Sequence, residues 1–258
     1  MSRIHQAVTR NLRRARASVY GHYDCKTIII ALHREQALYF AVPKVANTSI
    51  KKLLTGVIEA RLPADVAERV AGGPQLFRGK GRRAEMRDLQ YLLCKHEVPR
   101  YRHYYSFAFV RNPWDRLVSC YMDKVAETDL EDEDLNPKSA AVFMRQHGGK
   151  TGEVSFEEFA REVCRTPDAE SNRHFRSQHV FLTDRRGRLL PEHIFRFETL
   201  AEDFATVMQR IGLPGLELPH ANRTQRRDYR DYYTDELRDL VAERYRRDIE
   251  VFGFEFPE

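Results

Sequence analysis

No stretch of the sequence approaches the roughly 18 consecutive apolar residues that a helix needs to cross a bilayer, and the N-terminus has no apolar core typical of a secretory signal. The Walker pattern GxxxxGK[ST], which marks ordinary P-loop nucleotidases, is also absent. The four cysteines include no CxxC pair, which argues against a structural zinc site and indicates buried thiols in a reducing compartment; they are Cys25, Cys94, Cys120 and Cys164. Together these absences predict a cytoplasmic protein with no transmembrane segment and no metal site.

The sequence does contain enough apolar material for a substantial core. Of its 258 residues, 42% are hydrophobic, which suits one large domain, and we assign that domain to residues 26–258. Charged residues make up 31% of the chain, and the formal net charge is +5. A positive excess suits an anionic ligand or an acidic partner, although solubility alone would also account for it. Nothing in this balance requires a nucleic acid, and none is expected as a partner.

The first 25 residues are distinguished by their basic character. Residues 2–20 hold five arginines and no acidic residue. Three interpretations remain open: a solvated tail, a surface helix that contacts an anionic lipid or polymer, and a signal resembling a transit peptide. The second of these would make the chain a peripheral protein at the inner face of a membrane.

Apolar runs alternate with segments of helical periodicity, which is the rhythm of an α/β protein. A short polar link at residues 33–36 joins the first two runs. Helical spacing follows the second, third and fourth runs, while Gly212 ends one helix and Thr234 begins a final long one. The predicted strands are residues 26–32, 37–42, 107–110 and 193–197, and loops are expected at 72–83 and 129–137.

The segment PKVANTS, residues 43–49, follows the second predicted strand and precedes a helix. The start of a helix presents unpaired N–H groups and the positive end of a dipole, so it is a natural anion site. Lys44 adds a full positive charge to this turn, and two hydroxyl side chains add further donors. We predict a phosphate or sulfate cradle without a metal ion, formed by Lys44, Val45, Ala46, Asn47, Thr48 and Ser49.

A second strand end carries a similar set of groups. The run FAFV, residues 107–110, is followed directly by Arg111, and Ser119 lies eight residues further along a helix in whose first turn Pro113 stands. Ligands of open α/β sheets bind beyond the carboxyl ends of strands. Either motif alone is common in proteins that bind nothing there, but the two together suit a nucleotide with anionic groups at its 5′ and 3′ positions.

Two segments closely resemble the paired cofactor motifs of carbohydrate sulfotransferases that use 3′-phosphoadenosine 5′-phosphosulfate (PAPS). They are PKVANTS at residues 43–49 and FAFVRNPWDRLVSCYMDK at residues 107–124. The resemblance spans residues 37–254, with weaker landmarks in FEEF, NRHFRSQ, FRFETLAEDF, LPHANRT and ERYRRDIEVFGF. It implies a single α/β domain with a central parallel sheet flanked by helices, similar to a P-loop nucleotide-binding fold. Asn47 departs from the family pattern, in which a smaller residue is expected. Animal members carry an N-terminal membrane anchor that this sequence does not show, so a Golgi location is not expected.

By this resemblance, PAPS is the sulfate donor and a carbohydrate hydroxyl is the acceptor. Lys44 would stabilise the leaving group, Thr48 and Ser49 would bind the 5′-phosphate, and Arg111 and Ser119 would bind the 3′-phosphate. Sulfuryl transfer needs in-line positioning and charge stabilisation. Because the transferred group carries less negative charge than a phosphoryl group, a lysine can take the place of a divalent metal.

The acceptor hydroxyl must lose a proton, and a histidine with a pKa near 6.5 is suited to accept it. The resemblance indicates a base between the two motifs, which points to His96 in CKHEVPR, with Glu97 able to share the role. His103 lies in the same interval and ranks lower, and His174 in NRHFRSQ is the alternative base or an acceptor-binding residue. Any of these histidines could equally be a surface or structural residue. Glu198, in FETLAEDF, is assigned a structural role.

Two other functions are considered beside a PAPS-dependent sulfotransferase. A small-molecule kinase with an atypical phosphate loop would depend on ATP and magnesium, and the missing Walker lysine–serine pair argues against it. A non-enzymatic module that binds polyanions through its arginines would show salt-sensitive binding that survives the loss of Lys44. Such a module does not need the residue order of PKVANTS.

Overall fold

The computed structural model of the chain describes residues 27–62, 91–126, 140–146, 154–218 and 227–257. The basic segment 1–25 and the predicted loops at 72–83 and 129–137 lie outside the described residues. The strands are β1 (Ile28–Leu32), β2 (Ala37–Ala41), β3 (Leu92–Leu93), β4 (Tyr105–Val110) and β5 (His193–Arg196). The α-helices are α1 (Asn47–Glu59), α2 (Pro113–Lys124), α3 (Ala140–Gln146), α4 (Phe156–Arg165), α5 (His179–Leu182), α6 (Leu200–Arg210), α7 (Asp235–Arg244) and α8 (Arg246–Phe252). Short 3-10 helices lie at Lys95–Tyr101, Phe197–Thr199 and Tyr229–Tyr232.

The described strands form one sheet in the order β3-β1-β2-β4-β5. Strands β2, β4 and β5 are parallel, whereas β1 pairs antiparallel with both β2 and β3. The prediction of an α/β fold is therefore confirmed, but the sheet is mixed rather than wholly parallel. The reason is local, because only residues 33–36 separate β1 from β2, and a parallel pair needs a crossover of about a dozen residues or more.

The two central strands bring the predicted motifs to the same edge of the sheet. Strand β2 is buried along its whole length, and all of β4 except its first residue is buried, as expected for strands covered on both faces. Phe40 of β2 lies opposite Ala108 of β4 in parallel register, so the two strands end together. The turns that follow them, at Pro43 and Arg111, therefore emerge side by side.

Helices cover the sheet and form two clusters of buried side chains with it. The larger cluster joins the sheet to α1 and α6 through residues such as Leu54 and Phe204. The second cluster lies among α2, α3, α4 and α7 and contains Trp114 and Phe159. Helix α2, which begins beside Arg111, is thus held by buried contacts with the helices around it.

The starts of α2 and α7 follow the sequence signals. Asn112 caps α2 by accepting a hydrogen bond from the N–H of Trp114 at 3.1 Å, and Pro113 occupies the first turn as predicted. Thr234 caps α7 as predicted, because its hydroxyl accepts from the N–H of Leu237 at 3.2 Å. These caps fix where each helix enters the fold.

Several helical features differ from the sequence-based expectation, including the short helices α3 and α5, which were not predicted. The predicted final long helix is interrupted at Tyr245, whose buried side chain donates a hydrogen bond to the carbonyl of Phe175 at 2.5 Å, and the chain continues as α8. Helix α4 is not predicted by the periodicity analysis. Its start nevertheless carries a recognisable signal, because Ser155 and Glu158 form a capping box.

Three of the four cysteines lie in the described residues, and all three are free thiols. Cys94 and Cys120 are buried as predicted, whereas Cys164 is partly exposed, and Cys25 lies outside the described residues. Within the part of the chain that the structure describes, no helix combines the length and the apolar character that a membrane span requires.

Two leucines of α7 test the orientation of this helix. Leu237 is 1% exposed, so we expect Leu237→Ala to lower the free energy of unfolding by about 2–5 kcal/mol, because a cavity replaces the side chain. Leu240 is 36% exposed on the same helix, and Leu240→Ala should change that free energy by less than about 1 kcal/mol. Urea denaturation followed by circular dichroism measures both. Equal losses in the two variants would contradict the assigned buried face.

Candidate functional site

A cavity of about 890 Å³ opens where β2 and β4 end, and both predicted motifs line it. Its volume falls within the range of small-molecule sites. Of the predicted residues, the cavity is lined by Lys44, Ala46, Asn47, Thr48, Ser49, Arg111, Ser119 and His174. The side chain of Val45, in contrast, is buried in the core.

The first turn has an unusual backbone. Lys44 and Ala46 have positive φ angles of 71° and 54°, a left-handed conformation that residues with a side chain rarely adopt. Such strain persists where the surroundings enforce it and is concentrated at ligand sites. Ala46 is also the N-cap of α1 and makes no side-chain cap hydrogen bond. The first residues of α1 line the cavity, and no side chain at the N-cap bonds their N–H groups, as suits an anion site.

Two arginines of the second motif hold this turn in place. Nη1 of Arg111 donates to the carbonyl oxygen of Lys44 at 3.2 Å, and Nε of Arg116 donates to that of Pro43 at 3.1 Å. Arg116 is 1% exposed, and its Nη2 also donates to the carbonyl of Arg176 at 2.8 Å. Hydrogen bonds from charged donors are stronger than those between neutral groups. The two motifs are therefore parts of one connected structure.

The guanidinium of Arg111 is held from several directions. Its Nε lies 2.6 Å from Oδ2 of Asp115, one helical turn along α2, and its Cζ lies 4.1 Å from the centroid of the Phe197 ring. Asp115 and Phe197 also line the cavity. Because these contacts already order the side chain, Arg111 loses little conformational freedom when it binds an anion.

Lys44 forms an ion pair inside the cavity. Its Nζ lies 3.0 Å from Oδ2 of Asp123, and the same oxygen lies 2.9 Å from Nζ of Lys124. Burial lowers the pKa of Lys44, and the attraction of Cys120 and Asp123 opposes this effect. Burial alone would raise the pKa of Asp123, but hydrogen bonds from Lys124 and Lys44 bring it below its ordinary value. Lys44 is therefore paired with a carboxylate with which a bound anion would compete.

His174 is oriented by Asn172. The Oδ1 atom of Asn172 lies 2.9 Å from the backbone nitrogen of His174 and 2.8 Å from its Nδ1. An amide oxygen only accepts hydrogen bonds, so Nδ1 carries a proton and Nε2 keeps a lone pair in the neutral ring. Burial, followed by the charges of Arg173, Lys124 and other nearby cations, lowers the pKa of His174 to about 4. The ring is thus a neutral proton acceptor near neutral pH.

The other histidine proposed as a base lies elsewhere. His96 is exposed on the 3-10 helix Lys95–Tyr101 and is not among the described residues that line the cavity. Glu97, which was expected to share its role, caps this helix by accepting a hydrogen bond from the N–H of Cys94 at 2.7 Å. The catalytic role of His96 stays a prediction. The structure brings His174, and not His96, together with Lys44.

Several lining residues were not predicted as site residues. Asp123 follows Ser119 by four residues, a helical spacing from which it could have been identified, and Lys124 is its neighbour in the chain. Arg173 adjoins the predicted histidine, while residues 227–229 carry no motif that indicates a role. Glu198, assigned a structural role, lines the cavity and accepts a hydrogen bond from the N–H of Asn112 at 3.3 Å. Among the described lining residues, six are lysine or arginine and four are aspartate or glutamate, which favours an anionic ligand.

Comparison with known proteins identifies the chain's relatives. The model of the sulfotransferase family matches residues 27–255. Carbohydrate sulfotransferase 14 of Danio rerio is 24% identical over 249 residues, which cover 89% of this chain and 62% of that protein. Carbohydrate sulfotransferase 11 of Mus musculus is 26% identical over 245 residues, 90% of this chain and 66% of the relative. Carbohydrate sulfotransferase 12 of Mus musculus is 25% identical over 270 residues, which cover 92% of this chain and 62% of that protein. No solved structure matches the chain significantly.

These relatives correct one prediction and confirm another. The predicted cytoplasmic location is wrong by this comparison, because carbohydrate sulfotransferases 11, 12 and 14 are enzymes of the Golgi membrane. The matched region spans 62–66% of the length of these relatives, so their whole activity is not transferred to this chain by similarity alone. The resemblance that the paired motifs indicated is confirmed along nearly the whole sequence: the chain belongs to the sulfotransferase family.

Proposed function

We propose that this chain transfers a sulfuryl group from PAPS to a hydroxyl group of a carbohydrate acceptor. One observation carries the proposal: the two motifs line a single cavity and are joined by hydrogen bonds from Arg111 and Arg116 to the first turn. Family membership supports the reaction type, and the names of the relatives support a carbohydrate as the acceptor class.

The residues of the cavity fit a nucleotide with phosphates at both ends. The strained turn offers Lys44, helix N–H groups and the hydroxyls of Thr48 and Ser49, a set suited to the 5′-phosphosulfate. Arg111 and Ser119, at the other motif, would bind the 3′-phosphate. The rings of Phe197 and Tyr229 also line the cavity and provide apolar surface for a purine base.

The proposed chemistry follows from the charges that develop. The bond between sulfur and the 5′-phosphate oxygen breaks while the acceptor oxygen forms a new bond to sulfur. Lys44 stabilises the negative charge that grows on the leaving oxygen, because a cation placed beside that oxygen attracts the developing charge. The Lys44 ammonium has three N–H donors, so it can contact that oxygen in addition to, or instead of, Asp123. The acceptor proton passes to a base.

We propose His174 as this base, in preference to His96. Its Nε2 carries the lone pair because Asn172 fixes the proton on Nδ1. Its low pKa makes it a weak base in the free protein, but the pKa should rise when an anionic donor offsets the neighbouring cations. The base would therefore become stronger only after the donor has bound.

The cationic residues provide the first test. Lys44→Ala should lower kcat about 10²–10³-fold, because the developing charge loses its counter-ion. Arg111→Ala should raise the Kd for adenosine 3′,5′-bisphosphate about 10–100-fold, because a charged hydrogen bond is lost. Transfer of radiolabelled sulfate from PAPS and isothermal titration measure these effects. Lys52→Ala on the exposed side of α1 and Arg165→Ala on α4 are matched controls.

The unaltered protein should bind adenosine 3′,5′-bisphosphate, the product of PAPS after sulfuryl transfer. The absence of this binding would contradict the proposal. Phosphoryl transfer that requires ATP and magnesium, with no transfer of sulfate, would contradict it as well.

The ion pair at Lys44 provides the second test. We expect Asp123→Asn to lower the Kd for adenosine 3′,5′-bisphosphate about 2- to 5-fold, because the variant removes a carboxylate that competes for Lys44 and repels the ligand. Asp239→Asn, an exposed position on α7 with a partner on its own helix, should leave the Kd unchanged. Weaker binding in Asp123→Asn would show that the carboxylate supports the ligand rather than opposing it.

The pH dependence of the reaction provides the third test. Because free His174 has a pKa of about 4, kcat/KM should fall on the acid side only near pH 4. The acid limb of kcat should lie at higher pH, because bound donor raises the pKa. His174→Gln should lower kcat about 10²–10⁴-fold, whereas His96→Gln should leave it within about 3-fold. The opposite result for the two variants would make His96 the base.

A further inference from the structure

A fully buried carboxylate lies behind the cavity. Asp248 of α8 is 0% exposed and accepts three hydrogen bonds from the start of α5. The donors are the backbone N–H of Gln178 at 2.6 Å, the backbone N–H of His179 at 2.8 Å and Nδ1 of His179 at 2.7 Å. A buried charge is tolerated only when such donors compensate its lost hydration. Asp248 therefore fixes the position of residues 178 and 179 firmly.

The side chain of Gln178 extends this connection to the second motif. Its Oε1 accepts from the backbone N–H of Arg111 at 2.9 Å, and its Nε2 donates to the carbonyl of Arg111 at 2.8 Å. Gln178 is itself 0% exposed. Arg111 is the first residue after β4. The amide of Gln178 therefore bonds the backbone N–H and carbonyl of Arg111 in the way that the backbone of an adjacent strand bonds a strand residue. One side chain thus satisfies both backbone groups of the residue proposed to bind the 3′-phosphate.

Neither Gln178 nor Asp248 is among the described residues that line the cavity. We infer that Gln178, held by Asp248, is a positioning residue that places Arg111 for recognition of a 3′-phosphate and so sets the selectivity for 3′-phosphorylated nucleotides. This inference rests on the proposed function. The 5′ end has a further support that does not pass through Arg111, because Arg116 holds the carbonyl of Pro43.

The support from Arg116, which does not depend on Gln178, predicts a defect that is larger at the 3′ end than at the 5′ end. If Gln178 is altered, the backbone at Arg111 loses two hydrogen bonds and can shift, and a misplacement of about 1 Å in a positioned group can cost about 10²-fold. The first turn would lose or lengthen the bond from Arg111 to the carbonyl of Lys44, but it keeps the bond from Arg116 to the carbonyl of Pro43. Affinity for the 3′-phosphate should fall while affinity for the 5′ end is largely kept.

Isothermal titration with two probes tests this inference. Adenosine 3′,5′-bisphosphate contains the 3′-phosphate, and adenosine 5′-monophosphate does not. In Gln178→Met, the Kd for the bisphosphate should rise about 10- to 100-fold, whereas the Kd for the monophosphate should change less than about 3-fold. Asp248→Asn should show the same selectivity change to a smaller extent. Ser106→Ala is the matched control, because Ser106 makes a comparable bond, 2.9 Å from the N–H of Glu192, at the opposite end of β4.

Thermal denaturation identifies variants that do not fold. Should Gln178→Met fail to fold, Gln178→Glu replaces it, because a carboxylate still accepts from the N–H of Arg111 but cannot donate to its carbonyl. An equal loss of affinity for both probes, or unchanged preference for the bisphosphate, would overturn the inference. No preference for the bisphosphate in the unaltered protein would overturn the proposed function and this inference with it.

Discussion

The hydrogen bonds from Arg111 and Arg116 to the carbonyls of Lys44 and Pro43 are the contacts on which the site depends. They connect the end of β4 to the end of β2, and they are possible because these strands are parallel neighbours in register. The same contacts hold a turn in which Lys44 and Ala46 adopt left-handed backbone angles. A strained turn without this support would relax and lose its concave arrangement of N–H groups.

The six lysine and arginine side chains that line the cavity repel one another when no ligand is bound. Asp115 and Asp123 reduce this repulsion, because each forms an ion pair with a cation of the proposed nucleotide site. Burial and, to a smaller extent, the same positive charges keep His174 neutral by lowering its pKa. Binding of an anion would therefore change the state of the lysine and the histidine together. If His174 is the base, as proposed, binding of the donor would also raise its basicity.

Local signals predict the positions of the two turns that line the cavity, because strand ends, helix starts and the residues PKVANTS and RNPWDRLVS lie within a few positions of one another. The mixed sheet could also have been predicted, since the link at 33–36 is too short for a parallel crossover. Other parts of the site depend on contacts between distant residues. Gln178 bonds to Arg111, which is 67 positions away in the sequence, and to Asp248, which is 70 positions away. No periodicity in the sequence identifies these three residues as partners. For the same reason, the choice between His96 and His174 as a cavity residue required the folded chain.

The central claim is that one nucleotide is held at both ends by the two motifs. A crystal structure of the protein with adenosine 3′,5′-bisphosphate tests it most directly. The account predicts the 5′-phosphate within hydrogen-bond distance of the turn at residues 44–49 and the 3′-phosphate within hydrogen-bond distance of Arg111 and Ser119. A nucleotide bound outside this cavity, or bound with its two phosphates exchanged, would contradict the account.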